Sequence, residues 1–547
     1  MSQASPPAPA EGPWAPLREP DFRALWLAIL AGNIGTWIHD VAAAWVMAET
    51  TRSPLMVAAV QAATTLPVVV LAVIAGTLAD IVDRRRYLIV AQLWMFAAAT
   101  VLALLAHFDR LGPWGLVALT FLLGCGAAMA MPAQQATTPE LVPRRLLGQA
   151  VALGSLSMNI ARAIGPALGG LIVAQAGAGW AFAINAVSFL GVAVVLARWK
   201  RNAATAALPP EHFGAALRAG LRYARQATVL QAVLIKAAGF FFFASALTAL
   251  LPIVVKQELG ASAGTYGLLL GCIGAGAILG AIGLPRVRRR LDGDRLVALA
   301  TFVYAGCMLA MALLRDVRLL YPLAVLNGLA WISVLSSLQI AAQISVPAWV
   351  RARALSLYIV VFSAGMAAGS LGWGAIAQHW GSDRALTIAA GGAAVAALAL
   401  RRFRLGAAAQ LDTAPSGHWP QPLPLAEIAG ERGPVLVTIE YTVRLDRRGE
   451  FLELMASLGR SRRRDGAIAW SVVEDTTAPG VYLEYFVGSS WLEHLRLHER
   501  VTEDERSLQQ RIAGLLEPDS RPLVRHFVGG PPGAPVAQPE LDGGRAV

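Results

Sequence analysis

Twelve apolar blocks, about 18 to 29 residues each, constrain this chain more than any other feature. They fall at about 22–48, 54–80, 87–107, 113–137, 147–175, 179–199, 229–256, 264–285, 295–314, 319–345, 352–379 and 383–400. As helices rising 1.5 Å per residue, such blocks reach across a hydrocarbon core of roughly 30 Å. In lipid the backbone must satisfy its own hydrogen bonds, and a helix does so within one segment. Only 15% of the 547 residues are charged, against about 25% in soluble domains. The reading is an all-α membrane protein with twelve transmembrane helices in two six-helix halves.

No A-x-A type processing site precedes Phe22, so a cleavable leader is not expected. Cys125, Cys272 and Cys307 all lie inside apolar blocks and offer neither metal spacing nor a disulfide framework.

The net charge of +11 is a matter of topology. Basic residues crowd alternate loops: Arg84–Arg86, Arg144 and Arg145, Arg198 to Arg225, Arg286 to Arg290, Arg351 and Arg353, and Arg401 to Arg404. The other loops hold only Arg52, Arg110, Lys256, Arg315, Arg318 and Arg384. The positive-inside rule then puts both termini in the cytoplasm. No basic patch is interleaved with base-stacking aromatics, so nucleic acid is not an expected partner.

The halves repeat. An offset of 204 residues carries Gly76 onto Gly280, Arg84–Arg86 onto Arg288–Arg290, Val142-Pro143 onto Val346-Pro347, and Gly165 onto Gly369. Two repeated halves joined by a polar loop suit a secondary transporter, with its substrate site near the midplane between the repeats.

On these residues the chain resembles the major facilitator superfamily. "GTLADIVDRRR" (76–86) is similar to that family's loop motif between its second and third helices, matching at Gly76, Leu78, Asp80 and Arg84–Arg86. Ile81 stands in place of a basic residue and Asp83 in place of the second glycine. With "FRALWLAILAGNIGTW" upstream, the wording resembles a bacterial exporter subfamily that includes enterobactin exporters. The resemblance implies a cytoplasmic gate in which Asp80 faces the eleventh helix; Arg351 and Arg353 flank the expected start of that helix and, with Gly76, Asp83, Arg84 and Arg85, are the further expected members. The plainer reading is that the arginines anchor a tight hairpin against anionic lipid.

Ionisable groups inside spans are costly and therefore functional candidates. The first span carries Asn33, Trp37, His39 and Asp40, the second Gln61, the fifth Asn159 and Arg162, and the seventh Lys236. A buried arginine needs a partner, and Asp40 is the expected one for Arg162. Either the two form a structural ion pair, or Asp40 is a proton-coupling carboxylate tuned by Arg162. Lys236 is expected to snorkel to the interface. "ARAIGPALGG" (161–170) resembles the family's antiporter motif at Gly165, Pro166, Gly169 and Gly170, which implies proton-coupled export. Physically, small residues let helices approach closely.

After a Pro-rich linker the composition turns soluble. "VLVTIEYTV" (435–443) alternates with a period of two, "RRGEFLELMASLGRSRRR" reads as a helix, and "AIAWSVVE" (467–474) and "VYLEYFVG" (481–488) read as strands. A long helix from Ser490 and a strand at 522–529 complete a βαββαβ order, a small α+β ferredoxin-like cytoplasmic domain. It is similar to dimeric barrels of the antibiotic-biosynthesis monooxygenase type. Trp491, His494 and His498 share the long helix, where a packed or solvated face is the expected role over a metal.

The expected domains are a tail (1–20), a first half (21–200), an inter-half loop (201–228), a second half (229–404), a linker (405–433), the ferredoxin-like domain (434–530) and a tail (531–547). The expected function is alternating-access efflux of a small amphipathic molecule, a siderophore-like metabolite or a drug, coupled to protons. The alternative is a membrane-tethered monooxygenase-like enzyme or a transporter-derived sensor acting through the C-terminal domain. The absence of G-x-x-x-x-G-K-[ST] speaks against an ATP-driven pump. No catalytic residue, cofactor or metal is expected. The expected partners are the substrate, the bilayer and protons, with self-association through the C-terminal domain.

Overall fold

The computed structural model describes residues 12–199, 213–405, 414, 416, 418, 419, 432–518 and 520–529. It divides into two compact units. One holds Met1–Pro210, Ala232–Ala342 and Leu355–Gly406; the other holds Glu211–Gln231, Gln343–Ala354 and Ala407–Val547.

Among the described residues, twelve helices are long and apolar enough to cross a membrane. Six form the first half: α1 (Pro20–Thr50), α2 (Pro54–Ile81), α3 (Arg84–His107), α4 (Pro113–Leu141), α5 (Leu147–Ala176) and α6 (Ala178–Arg198). Next comes α7 (Phe213–Gln226), which is not one of the twelve and falls within the expected inter-half loop. The second half is α8 (Thr228–Ile253), α9 (Ala263–Arg288), α10 (Gly293–Leu313), α11 (Val317–Ile344), α12 (Ala348–Trp380) and α13 (Ser382–Ala399). A π-helical turn, Val254–Glu258, continues α8.

Local chemistry sets the helix ends. Prolines occupy the first turn of α1, α2 and α4, where no backbone donor is lost. The Ser53 side chain accepts from Met56 N, and Asp83 accepts from Arg86 N at 2.9 Å. The repeat shows in these devices. Asp292 caps α10 as Asp83 caps α3. Gly177 (φ +89°) and Gly381 (φ +87°), 204 residues apart, turn α5 into α6 and α12 into α13. Only glycine adopts that backbone without strain.

The C-terminal domain has strands β1 (Val435–Thr442), β2 (Ala469–Glu474), β3 (Val481–Gly488) and β4 (Leu523–Val528), in the order β2-β3-β1-β4. Every pairing is antiparallel. Helix α14 (Arg448–Asp465) follows β1. The expected long helix is two, α15 (Trp491–Arg500) and α16 (Glu503–Ala513). They part at Val501, whose extended backbone ends α15, and Thr502, which opens α16 with a capping box to Glu505. Val437, Tyr441, Phe451, Met455, Phe486 and Ile512 build the core. Within it, the fully buried Glu484 accepts from Tyr441 Oη at 2.8 Å, Arg462 Nε at 3.0 Å and Trp470 Nε1 at 2.9 Å. Such saturation makes a buried carboxylate tolerable.

Candidate functional site between the two helical halves

The glycines of α5 seat this helix between α1 of its own half and α9 of the other. A Cβ built at Gly165 would lie 2.5 Å from Trp37 Cβ, and one at Gly169 would lie 3.0 Å from Ile38 Cα. On the opposite side, a Cβ at Gly170 would lie 2.6 Å from the Ala263 carbonyl and 2.7 Å from Gly267 Cα. Gly274 of α9 is equally tight, 2.6 Å from the Arg162 carbonyl. Pro166 is buried in the same stretch. These distances leave no room for any side chain larger than hydrogen.

Helices α1 and α5 run parallel. Trp26 Nε1 donates to Leu153 O at 2.8 Å, and Asn33 Nδ2 donates to Ser157 Oγ at 3.3 Å. This register puts the Arg162 guanidinium 5.9 Å from the centre of the Trp37 ring. Asp40 sits three residues beyond Trp37, about 4.5 Å further along the axis. Tyr266 of α9 lies within electrostatic range of Asp40. Among the described residues no ion pair joins Asp40 to Arg162. The expected partnership fails because the parallel register offsets the two groups by about a turn, and Arg162 settles over an aromatic face instead. His39 is buried against Phe182 of α6, with ring centroids 5.1 Å apart, and so faces away from Asp40.

Gln61 and Asn159 bond within their own helices, to Thr64 Oγ1 at 3.4 Å and to Ser155 O at 3.0 Å. The structure groups Asn33, Trp37, Asp40 and Arg162 along one α1–α5 seam, and Gln61 lies apart from it on α2. Lys236 does not snorkel. It is buried and paired with Asp294 of α10, whose carboxylate also accepts from Leu405 N at 2.8 and 3.0 Å.

Among the described residues, polar contacts join the halves at the ends remote from the arginine-rich loops. Lys256 Nζ lies 3.1 Å from Glu49 Oε1 and over the Trp45 ring. Trp45 in turn stacks on Tyr266 at 6.1 Å. Gln257 Nε2 donates to Thr51 O at 3.4 Å, and Ser53 Oγ donates to Gln378 Oε1 at 2.6 Å. A Cβ at Gly374 would lie 2.5 Å from Ala58 Cβ. That end is shut.

At the opposite end, Arg84 pairs with Glu140 of α4 at 2.8 Å. Arg85 donates from Nε to Leu196 O at 2.8 Å and also bonds Ala197 O, both at the end of α6. The backbones of Gly76 and Asp80 run in α2; the Asp80 side chain lies outside what the structure describes. Arg351, which is exposed, and Arg353 belong to the second unit.

Within the second unit, α14 packs on α7. Arg464 lies 5.5 Å from the Tyr223 ring centre, Tyr223 packs edge-on against Trp349 near the start of α12, and Arg500 sits 4.2 Å over that tryptophan. His494 and His498 of α15 meet His526 of β4. Burial, then the nearby His498, His526 and Arg462, hold His494 down at about 3, so it is neutral near pH 7.

The family described as transmembrane secretion effector matches residues 11–531. The chain belongs to this family, within the major facilitator superfamily. Three relatives are similar to it. An uncharacterized MFS-type transporter of Bacillus subtilis is 29% identical, over 45% of this chain and 59% of the relative. A staphyloferrin A transporter of Staphylococcus aureus is 24% identical, over 51% and 70%. An enterobactin exporter of Escherichia coli is 27% identical, over 58% and 76%. The chain thus spans less than two thirds of the first relative's length. A solved bacterial homolog of the human lysosomal transporter Spinster, inward-facing and unoccupied, has a TM-score of 0.54 at 14% identity. It covers 72% of this chain and 96% of its own, and shows the shared fold.

In this chain the sequence motifs locate the glycine seam well and the polar partners poorly. Glu140, Asp294 and Tyr266 carry no local signal, because each acts through a partner on another helix. His526 falls in a strand 28 residues beyond His498, and only the pairing of β4 with β1 brings them together.

Proposed function

We propose that this protein is a proton-coupled exporter of a small amphipathic molecule, a siderophore-like metabolite or a drug, working by alternating access. The observation that carries this reading is the glycine-lined seam of α1, α5 and α9. Trp37, Asp40 and Arg162 lie along this seam and Tyr266 lies on α9, and in this reading a rocking motion of one half on the other exposes them to alternate sides. The relatives' names, an enterobactin exporter among them, support export.

In this reading the arginine-rich loops and both termini are cytoplasmic. The shut end is then the outer one. Asp40 carries the proton and Arg162 supplies a fixed positive field. Asp80, Asp83, Arg84 and Arg85, with Arg351 and Arg353, are a cytoplasmic gate whose charges pair when that side closes and separate when it opens. The expected domain boundaries stand as part of the proposal. The C-terminal domain self-associates through its open sheet face, where Leu483, Leu523 and Phe527 are exposed.

The test is accumulation in everted vesicles. With an acid-inside gradient, the wild type is expected to take up at least one member of a panel of siderophores and amphipathic drugs, and to stop when the gradient is collapsed. Uptake that continues unchanged after collapse refutes proton coupling.

A further inference from the structure

Three imidazoles converge inside the C-terminal domain, apart from the transport seam. His494 and His498 stand one turn apart on α15, with ring centroids 4.8 Å apart. His526 faces them from β4, its ring 4.8 Å from His494 and 6.5 Å from His498. One ring nitrogen from each lies within 4.8 Å of the others. The Nε2 atoms of His494 and His498 are 3.2 Å apart. Two nitrogens bound to one tetrahedral zinc at about 2.05 Å would lie about 3.3 Å apart. That pair therefore already has coordination spacing, and His526 needs to close by roughly 1.5 Å.

We infer that His494, His498 and His526 form a three-nitrogen site for a divalent transition metal of the zinc class. The donor set decides the class. Imidazole suits zinc, cobalt, nickel, copper and iron, whereas magnesium and calcium take oxygen. The surroundings fit as well. Trp491, 5.4 Å from the His494 ring, and Trp419, 4.9 Å from His498, wall the cluster with aromatic surface. The facing cation, Arg462, is neutralised by Glu484 at 3.0 Å and covered by Trp419 and Phe486, so it imposes little repulsion. Glu493 and Arg500 of the same helix pair with each other at 2.5 Å. Three protein donors leave a fourth position for water or a small ligand, the arrangement of an exchangeable site. The competing arrangement is a metal-free stack in which one imidazole donates to the next.

The experiment uses the full-length protein, purified in detergent with any affinity tag removed and stripped with a chelator. Titration with Zn2+ is followed by elemental analysis, and titration with Co2+ by its visible absorption. The site predicts one equivalent of Zn2+ and the intense visible bands of tetrahedral Co2+. It predicts that His526→Gln and His498→Gln each weaken binding about 100-fold while the protein elutes as wild type and keeps its circular dichroism. Two separate variants keep the test valid if one misfolds. A wild type that binds less than a tenth of an equivalent overturns the site. So does binding of wild-type strength in both folded variants, since the metal would then sit elsewhere.

Discussion

A single methyl group at Gly170 should pry open the shut end. Alanine there would put its Cβ 2.6 Å from the Ala263 carbonyl and 2.7 Å from Gly267 Cα. Ordinary contacts are about 3.5–4.0 Å, so α5 and α9 must separate by roughly an ångström. Backbone lies on both sides, and no flexible side chain can yield. Overpacking of this kind costs about 1–3 kcal/mol. Because the contact joins the two halves, that cost falls on the state seen here and is relieved in a state where the halves part. At 1.4 kcal/mol per factor of ten, the open-to-closed ratio at this end should rise about 5- to 150-fold. Ala58, fully buried and packed against Gly374, reports on it. In a background lacking Cys125, Cys272 and Cys307, Ala58→Cys should react with a maleimide 5- to 150-fold faster when Gly170→Ala is added. Unchanged labelling in a folded, monodisperse double variant would refute the wedge argument and with it the tight α5–α9 seam.

Other perturbations have equally definite outcomes. Lys236→Ala removes the buried cation paired with Asp294 and leaves the Leu405 bonds in place. A broken buried pair costs about 3–5 kcal/mol, and the 27% exposure of Asp294 lowers this to about 2–3 kcal/mol of thermal stability. Combining it with Asp294→Asn should recover part of the loss; no recovery would mean that the pair is not what holds α8 to α10. Burial, and next the Asp465 carboxylate, raise Glu505 well above the usual range. A raised folded value means that the stability it contributes is present below about pH 4.5 and lost as pH rises through the folded value. Wild-type melting temperature should therefore fall more steeply between pH 5 and 8 than that of Glu505→Gln, and parallel curves would contradict the assignment. Arg500→Ala removes the cation over Trp349 and should change the transport rate while leaving the C-terminal domain folded. An unaltered rate would separate that domain from transport.

The spans were legible to within a few residues because a lipid-crossing helix must be apolar throughout, whatever it packs against. All four strands were legible too, since β1 and β3 alternate cleanly. The break between α15 and α16 was not, because the run around Val501 stays helix-compatible and only the Thr502 capping box reveals it. Helix α7 was read as loop because it is polar enough to look like linker. The glycines announced close approach without naming the partner, and Gly267 and Gly274 of α9 supply it. The Asp40–Arg162 pairing went astray for a similar reason: mid-span depth was readable, but the parallel register of α1 and α5 was not. The histidine cluster needed a strand register as well as a helix period.

The most direct test of proton-coupled export is proton movement itself. Everted vesicles carrying an acid-inside gradient and a trapped pH dye are given a transported compound. The wild type should release protons as the compound enters, seen as dye recovery, and Asp40→Asn should bind the compound with wild-type affinity yet release none. Equal proton release by the two proteins would contradict the assignment of Asp40, and compound uptake by the wild type without any release would contradict the coupling.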